Sequence, residues 1–140
     1  MKTTRILLPA LTLLAIAFAG QASAEKLKAT LNGASEVPAN TSKGTGTVDA
    51  NYDPASKKLT WKLTFSGLTG PVTAAHFHGP AAAGENAGIA VTIPDATSSP
   101  ADGSATLTDT QAADLLAGKY YLNVHTAAHP GGEIRGQVTK

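Results

Sequence analysis

Apolar and polar residues alternate along most of the chain after residue 25. The clearest case is the segment 59–65, in which Leu59, Trp61, Leu63 and Phe65 are separated by threonine and lysine residues. Because successive side chains of a β-strand point to opposite faces, this period of two predicts a strand with one buried face. Shorter segments with strand character predict seven more strands, at 26–31, 44–52, 72–78, 89–93, 103–108, 119–126 and 132–139.

One segment has helical rather than strand chemistry. Residues 109–117 are rich in helix formers, Thr108 or Asp109 can cap the N-terminus, and Gly118 suits the end. Clusters of glycine, proline, aspartate and serine separate the other segments, and residues 34–42 and 79–88 have loop composition. Many short strands, frequent turns and a single short helix predict an all-β fold, an antiparallel β-sandwich or barrel.

The N-terminal segment differs from the rest of the chain. Lys2 and Arg5 precede an apolar stretch at 6–19, and the small residues Ala22 and Ala24 flank Ser23. This order is typical of a secretory signal peptide, so we expect residues 1–24 to be removed and 25–140 to form one periplasmic or secreted domain. No other apolar run is long enough to span a bilayer, so we expect no membrane association after cleavage.

Composition narrows the chemistry further. There is no cysteine, which excludes disulfides and thiolate metal ligands. Without Lys2 and Arg5, nine of the 11 basic residues remain against 10 acidic ones, and this balance argues against a nucleic-acid partner. No G-x-S-x-G motif or comparable nucleophile context is present, so hydrolase chemistry lacks a candidate. These features predict no particular protein partner.

The four histidines fall into two pairs. In the strand predicted at 72–78, His76 and His78 point to one face while Phe77 points to the other, into the core. His125 and His129 lie in and just after the strand predicted at 119–126. If the last two strands pair antiparallel, His125 shares its face with further polar residues. These residues are Glu133, Arg135 and Gln137.

A set of imidazoles without sulfur ligands suits a transition metal. Neutral imidazole binds copper, zinc, nickel and iron, and this donor set favours copper, with zinc as the alternative. The prediction is one ion held by His76, His78 and His125, with His129 as a fourth ligand or a solvated residue. It requires His125 to reach the other two from a neighbouring strand.

A metal-bound histidine usually donates its second ring N–H to an oxygen, for which Glu133, Asn123 or a backbone carbonyl could serve. Two simpler interpretations remain open. The histidines can be ordinary surface residues, and Glu133 and Arg135 can form a cross-strand ion pair.

Four segments carry a resemblance to a known domain family: 31–38 (LNGASEVP), 75–81 (AHFHGPA), 115–126 (LLAGKYYLNVHT) and 132–137 (GEIRGQ). Together they resemble the CHRD domain, a module of chordin and of bacterial secreted proteins. The resemblance implies a single CHRD domain over 25–140 with an antiparallel β-sandwich or Greek-key barrel fold, superoxide-dismutase-like or immunoglobulin-like.

A weaker resemblance concerns the histidines. The pattern at 76–78 is similar to the His-x-His copper-ligand strand of copper/zinc superoxide dismutases, and Val124-His125 is similar to their late copper ligand. Residues 131–136 are similar to the segment whose arginine guides superoxide, which implies an anion-steering role for Arg135. The bridging histidine, the zinc ligands and the disulfide of that family have no counterpart here, which excludes a dinuclear copper/zinc site.

Three functions are compatible with these features. The first is an exported protein that binds one transition-metal ion, copper above zinc. The second is a copper-dependent, superoxide dismutase-like enzyme acting on superoxide or another small anion. The third is a protein-interaction module in which the histidines are incidental.

Overall fold

The computed structural model describes residues 20 and 22–140, so the predicted signal peptide at 1–24 lies almost entirely outside the described residues. Eight strands and one α-helix form within this part of the chain. No helix in the described part has the length and apolar character needed to span a membrane. The strands are β1 (Glu25–Asn32), β2 (Thr45–Asp53), β3 (Lys58–Ser66), β4 (Val72–His78), β5 (Ile89–Thr92), β6 (Ala101–Thr106), β7 (Tyr120–Thr126) and β8 (Ile134–Val138).

The predicted elements are confirmed, with small shifts at their ends. The helix α1 (Asp109–Leu116) begins after Thr108, which accepts a hydrogen bond from the backbone N–H of Gln111 and forms a capping box with it. The sixth strand begins at Ala101 rather than at 103, because Ala101 pairs with Leu63 of β3. The predicted loop at 34–42 begins within a short 3-10 turn, Gly33–Ser35.

All strand pairs are antiparallel, and the sheet order is β5-β4-β7-β8-β1-β2-β3-β6. Four strands separate β4 from β3 in this order, yet Phe77 of β4 and Trp61 of β3 meet edge to face at 5.3 Å between ring centroids. The sheet therefore curls on itself into a nearly closed barrel with these rings in its core. The all-β antiparallel prediction with one short helix is confirmed.

Helix α1 lies between the two edge strands of the sheet. It follows β6 in the chain, and Gln111 donates a hydrogen bond to the carbonyl of Ala90 in β5 at 3.2 Å. Its apolar side buries Ala112 and Leu115 in the core. The helix therefore covers the place where a closed barrel would pair its first and last strands.

The outer surface of the barrel has two different halves. The open half consists of β1, β2, β3 and β6, whose outward side chains are mostly exposed. The covered half consists of β4, β7 and β8, where polar outward residues such as Asn123 and Arg135 are buried. Two loops, 36–40 and 79–88, lie over the covered half, and Asn86 joins them by donating a hydrogen bond to the carbonyl of Val37.

Candidate metal centre

Strand β4 places two histidines on the outer face of the barrel. Phe77 between them is fully buried in the core, as the alternation predicts. His76 is partly exposed, whereas His78 is buried, with 8 % of its surface exposed. Their ring centroids are 5.4 Å apart and the ring planes are nearly perpendicular.

His125 comes to this pair from β7, the neighbour of β4 in the sheet. The antiparallel register sets His125 opposite Ala74 and Asn123 opposite His76. The His125 ring lies 5.0 Å from that of His76 and 6.2 Å from that of His78. One ligand nitrogen from each of the three side chains lies within 4.8 Å of the others. The predicted meeting of residues 49 positions apart is confirmed.

Backbone carbonyls fix the tautomers of two of these rings. His78 donates from Nδ1 to the carbonyl of Ala87 at 3.0 Å, and His125 donates from Nδ1 to the carbonyl of Pro130 at 2.9 Å. A carbonyl only accepts, so each neutral ring carries its proton on Nδ1 and a lone pair on Nε2. The structure therefore selects backbone carbonyls from the candidate acceptors of the second N–H.

The third ring completes the cluster through a direct contact. His76 Nδ1 lies 3.1 Å from His125 Nε2, and because Nε2 is unprotonated, His76 donates this hydrogen bond. Two nitrogens at 3.1 Å also have the separation of adjacent ligands on one ion, because bonds of about 2.0–2.1 Å then enclose an angle of about 100°. A metal would replace this proton between the rings after a tautomer change in His76.

The local electrostatics favour the neutral forms of His76 and His78. Burial, followed by repulsion from His125 and His78, lowers the pKa of His76. Burial is also the main cause that lowers the pKa of His78, against the opposing effect of its hydrogen bond to Ala87. His78 Nε2 is buried and has no hydrogen-bond partner among the described residues. His76 and His78 are thus disposed to remain uncharged imidazoles rather than imidazolium ions.

The other predicted site residues lie elsewhere. His129 is outside the three-histidine cluster and lines a cleft with Glu36 and Pro130. Arg135 is on the covered half and only 2 % exposed, so its guanidinium lies beneath the loop 79–88. Its role in guiding an anion stays a prediction.

The alternative of a Glu133–Arg135 ion pair is wrong. The carboxylate of Glu133 accepts hydrogen bonds from Ser42, Thr69 and Thr126, whereas Arg135 donates to Asn86 and to the carbonyl of Glu85. The two side chains therefore bind separate partners in different parts of the chain.

Two residues of the covered half, Tyr121 and Glu36, were not predicted from the sequence to belong to this region. The Tyr121 ring stacks on that of His78, with centroids 4.9 Å apart and planes 2° apart. Tyr121 lies two residues before Asn123 and four before His125, so the period of two places all three side chains on one face. This spacing could have been used to predict the contact. Glu36 had no comparable signal, because a loop brings it to the sheet. Burial raises the pKa of Glu36 to about 7, although the charge of Arg135 lowers it.

These features define a structural class: a small antiparallel β-barrel with a three-histidine cluster on its outer face. A family model of the CHRD domain matches residues 27–138, and the chain belongs to the CHRD domain family. Comparisons with curated proteins and with solved structures give no match.

Proposed function

We propose that this CHRD-domain protein binds one transition-metal ion through His76, His78 and His125. The observation that carries the proposal is the hydrogen bonding that fixes the tautomers of two rings. Two carbonyls hold Nδ1–H of His78 and His125, which leaves Nε2 of each ring as a metal-binding lone pair. Histidines that bind metals are oriented in this way by an acceptor on the second nitrogen.

The burial of an unpaired ring nitrogen, which carries a lone pair, supports the proposal. His78 Nε2 is inaccessible to solvent and lacks a hydrogen-bond partner among the described residues. A buried polar atom of this kind costs about 1–3 kcal/mol unless something satisfies it. An ion between the three rings would provide that partner, and the partly exposed His76 and His125 leave it a path to solvent.

We propose copper as the ion and zinc as its competitor. The donor set contains three imidazole nitrogens, with neither thiolate nor carboxylate in the cluster. Affinity for nitrogen donors rises along the first transition row to Cu(II) and falls again at Zn(II). Three protein ligands leave further coordination positions open to water or a small ligand.

The test is a titration of the metal-free protein with Cu(II) in the presence of a competing chelator. We expect one ion per chain and nitrogen hyperfine structure in the electron paramagnetic resonance (EPR) spectrum. Substitution of any one ligand, His76→Ala, His78→Ala or His125→Ala, should weaken binding at least about 100-fold, because a lost ligand costs more than a lost neighbour of one. His129→Ala is the matched control and should leave binding unchanged. Equal affinity in the wild type and all three ligand variants would refute the site.

Acid should release the ion. Ligand histidines must be neutral, and the lowered pKa values of His76 and His78 keep them so below the ordinary histidine value of 6.5. Binding should therefore persist at pH 6.5 and weaken as the pH falls further. Isothermal titrations at a series of pH values measure this; an affinity that stays constant to pH 4 would exclude imidazole ligation.

We further propose that the protein acts in metal handling outside the cytoplasm. The support is the sequence pattern at 1–24, together with a donor set that needs no reducing compartment because it contains no thiol. Mass spectrometry of the protein recovered from the periplasm or medium tests this, with an N-terminus at Glu25 as the expected result.

A further inference from the structure

Arg135 has an unusual environment for a cation. The residue is 2 % exposed, and no carboxylate lies within 4.0 Å of its guanidinium among the described residues. Arginine keeps its charge when buried, so the surrounding groups must compensate for lost solvation. Its partners are Asn86 Oδ1, which accepts from Nη1 at 2.9 Å, the carbonyl of Glu85, which accepts from Nη2, and the ring of Tyr121, whose centroid is 3.4 Å from Cζ.

Tyr121 connects this cation to a proposed metal ligand. Strand β7 lies between β4 and β8, so the Tyr121 ring has His78 on one neighbouring strand and Arg135 on the other. The ring stacks in parallel on that of His78. Its hydroxyl accepts a hydrogen bond from the N–H of Ala87 at 3.1 Å and donates to the carbonyl of Ala87 at 3.2 Å.

The same carbonyl sets the tautomer of His78. Three side chains from adjacent strands thus bind three consecutive residues of one loop: Arg135 binds Glu85 and Asn86, while Tyr121 and His78 bind Ala87. A shift of this loop would move the Ala87 carbonyl away from His78 Nδ1. The ring of His78 could then rotate, and its Nε2 lone pair would no longer be fixed toward His125 and His76.

We propose that Arg135 and Tyr121 are positioning residues that hold His78 in its metal-binding orientation and tautomer. This inference rests on the proposed function, because it assumes that His78 binds a metal ion. The contacts among Arg135, Tyr121, His78 and the loop are present without an ion. Arg135 acts through the loop and through the Tyr121 ring, and contacts no ligand nitrogen. The buried charge is therefore used to order the site rather than to attract an anion from solution.

The first readout uses the metal-free protein. Nuclear magnetic resonance of ring nitrogens should show slowly exchanging Nδ1–H signals for His78 and His125 in the wild type. In Arg135→Gln we expect the His78 signal to exchange at least about tenfold faster, while the His125 signal, held by Pro130, is retained as an internal reference. An unchanged His78 signal in this variant would overturn the proposal, whether or not the protein binds copper.

The second readout is copper affinity. Residues that orient a ligand typically contribute about 10- to 100-fold, so Arg135→Gln should weaken Cu(II) binding by that factor and alter the nitrogen hyperfine pattern. Arg135→Lys keeps the charge but loses the planar fork, and should behave like the glutamine variant. Restoration of both readouts by lysine would show that charge acts rather than position, and would overturn the proposal.

Control variants separate the possible failures. Lys62→Gln removes one exposed cation from the open half and should change neither readout. Asn86→Ala removes the acceptor of the Arg135 Nη1 hydrogen bond, and Asn86 is an exposed loop residue. This variant therefore replaces Arg135→Gln if Arg135→Gln does not fold. If the wild type binds no copper, the proposed function fails, while the His78 exchange rate still decides the positioning role.

Discussion

The open and covered halves of the barrel share the same alternating strand pattern, but their outward side chains lie in different environments. On the open half, outward residues meet solvent and form a simple cross-strand series, Lys28, Asp49, Lys62 and Asp102, with alternating charge. On the covered half, several outward polar residues are buried, and Glu133, Arg135 and His78 hydrogen-bond to loops. Alternation therefore specifies which face of a strand is outward, whereas the loops determine whether an outward side chain is exposed.

The two halves should therefore differ in sensitivity to mutation. An exposed polar side chain that is removed leaves its partners to water, whereas a buried one leaves donors and acceptors unpaired. Matched positions on the two halves should show this difference.

The largest effect is expected at Glu133, at the start of β8. Its carboxylate is fully buried and accepts hydrogen bonds from Ser42, Thr69 and Thr126, so it fixes two loops to the sheet. Charged hydrogen bonds contribute about 1.5–3 kcal/mol each, so Glu133→Ala should lower the free energy of unfolding by at least about 3 kcal/mol. Urea denaturation measures this, with Asp49→Ala on the open half as control, expected within about 0.5 kcal/mol of wild type.

Acid should weaken the covered half at the same residue. Burial alone would raise the pKa of Glu133, but the hydrogen bonds to its carboxylate outweigh it and lower the pKa to about 2, from the ordinary 4.5. A depressed pKa stabilises the fold fully above 4.5 and loses its effect as the pH falls toward 2. Thermal unfolding between pH 6 and 2 should show this decline in the wild type, and a flatter profile in Glu133→Gln would confirm its source.

An intermediate effect is expected at Gln137 on β8. Its amide donates to the carbonyls of Ala81 and Gly118 at 2.9 and 2.8 Å and so holds two connections over the sheet. Gln137→Ala should cost about 1–2 kcal/mol, because two carbonyls lose their donor. Hydrogen exchange should also accelerate near residue 81 while β2 stays protected. Unchanged protection there would mean that the loop is held independently of Gln137.

The smallest effect belongs to the open half. Thr47 and Thr64 are paired across β2 and β3, and their hydroxyls lie 2.7 Å apart at the surface. Such pairs contribute about 0.2–1 kcal/mol, and valine keeps the β-branched shape, so Thr47→Val should change stability by less than about 1 kcal/mol. Chemical denaturation is again the measurement. A loss as large as that of Glu133→Ala would remove the contrast between the halves.

The strands could be predicted well from the sequence because the barrel buries one face of each. Apolar and polar residues therefore alternate along the strands. The sequence also predicted the three-histidine cluster, since His76 and His78 share a face. That prediction required a neighbouring strand to bring in His125, and the structure identifies this strand as β7. The sequence did not predict the burial of Arg135, Asn123 and Tyr121. Those positions read as outward and polar, and their burial depends on how two loops fold back, which local pattern does not encode.

The order of β4, β7 and β8 along the chain also determines when the cluster can form. His76 and His78 are made well before His125, and a chain that emerges N-terminus first offers only two of the three rings until β7 has followed. Arg135 arrives later still, with β8. If the protein binds an ion as proposed, a chain that is still being synthesised would lack the complete ligand set, and all three rings would be present only after β7 has followed.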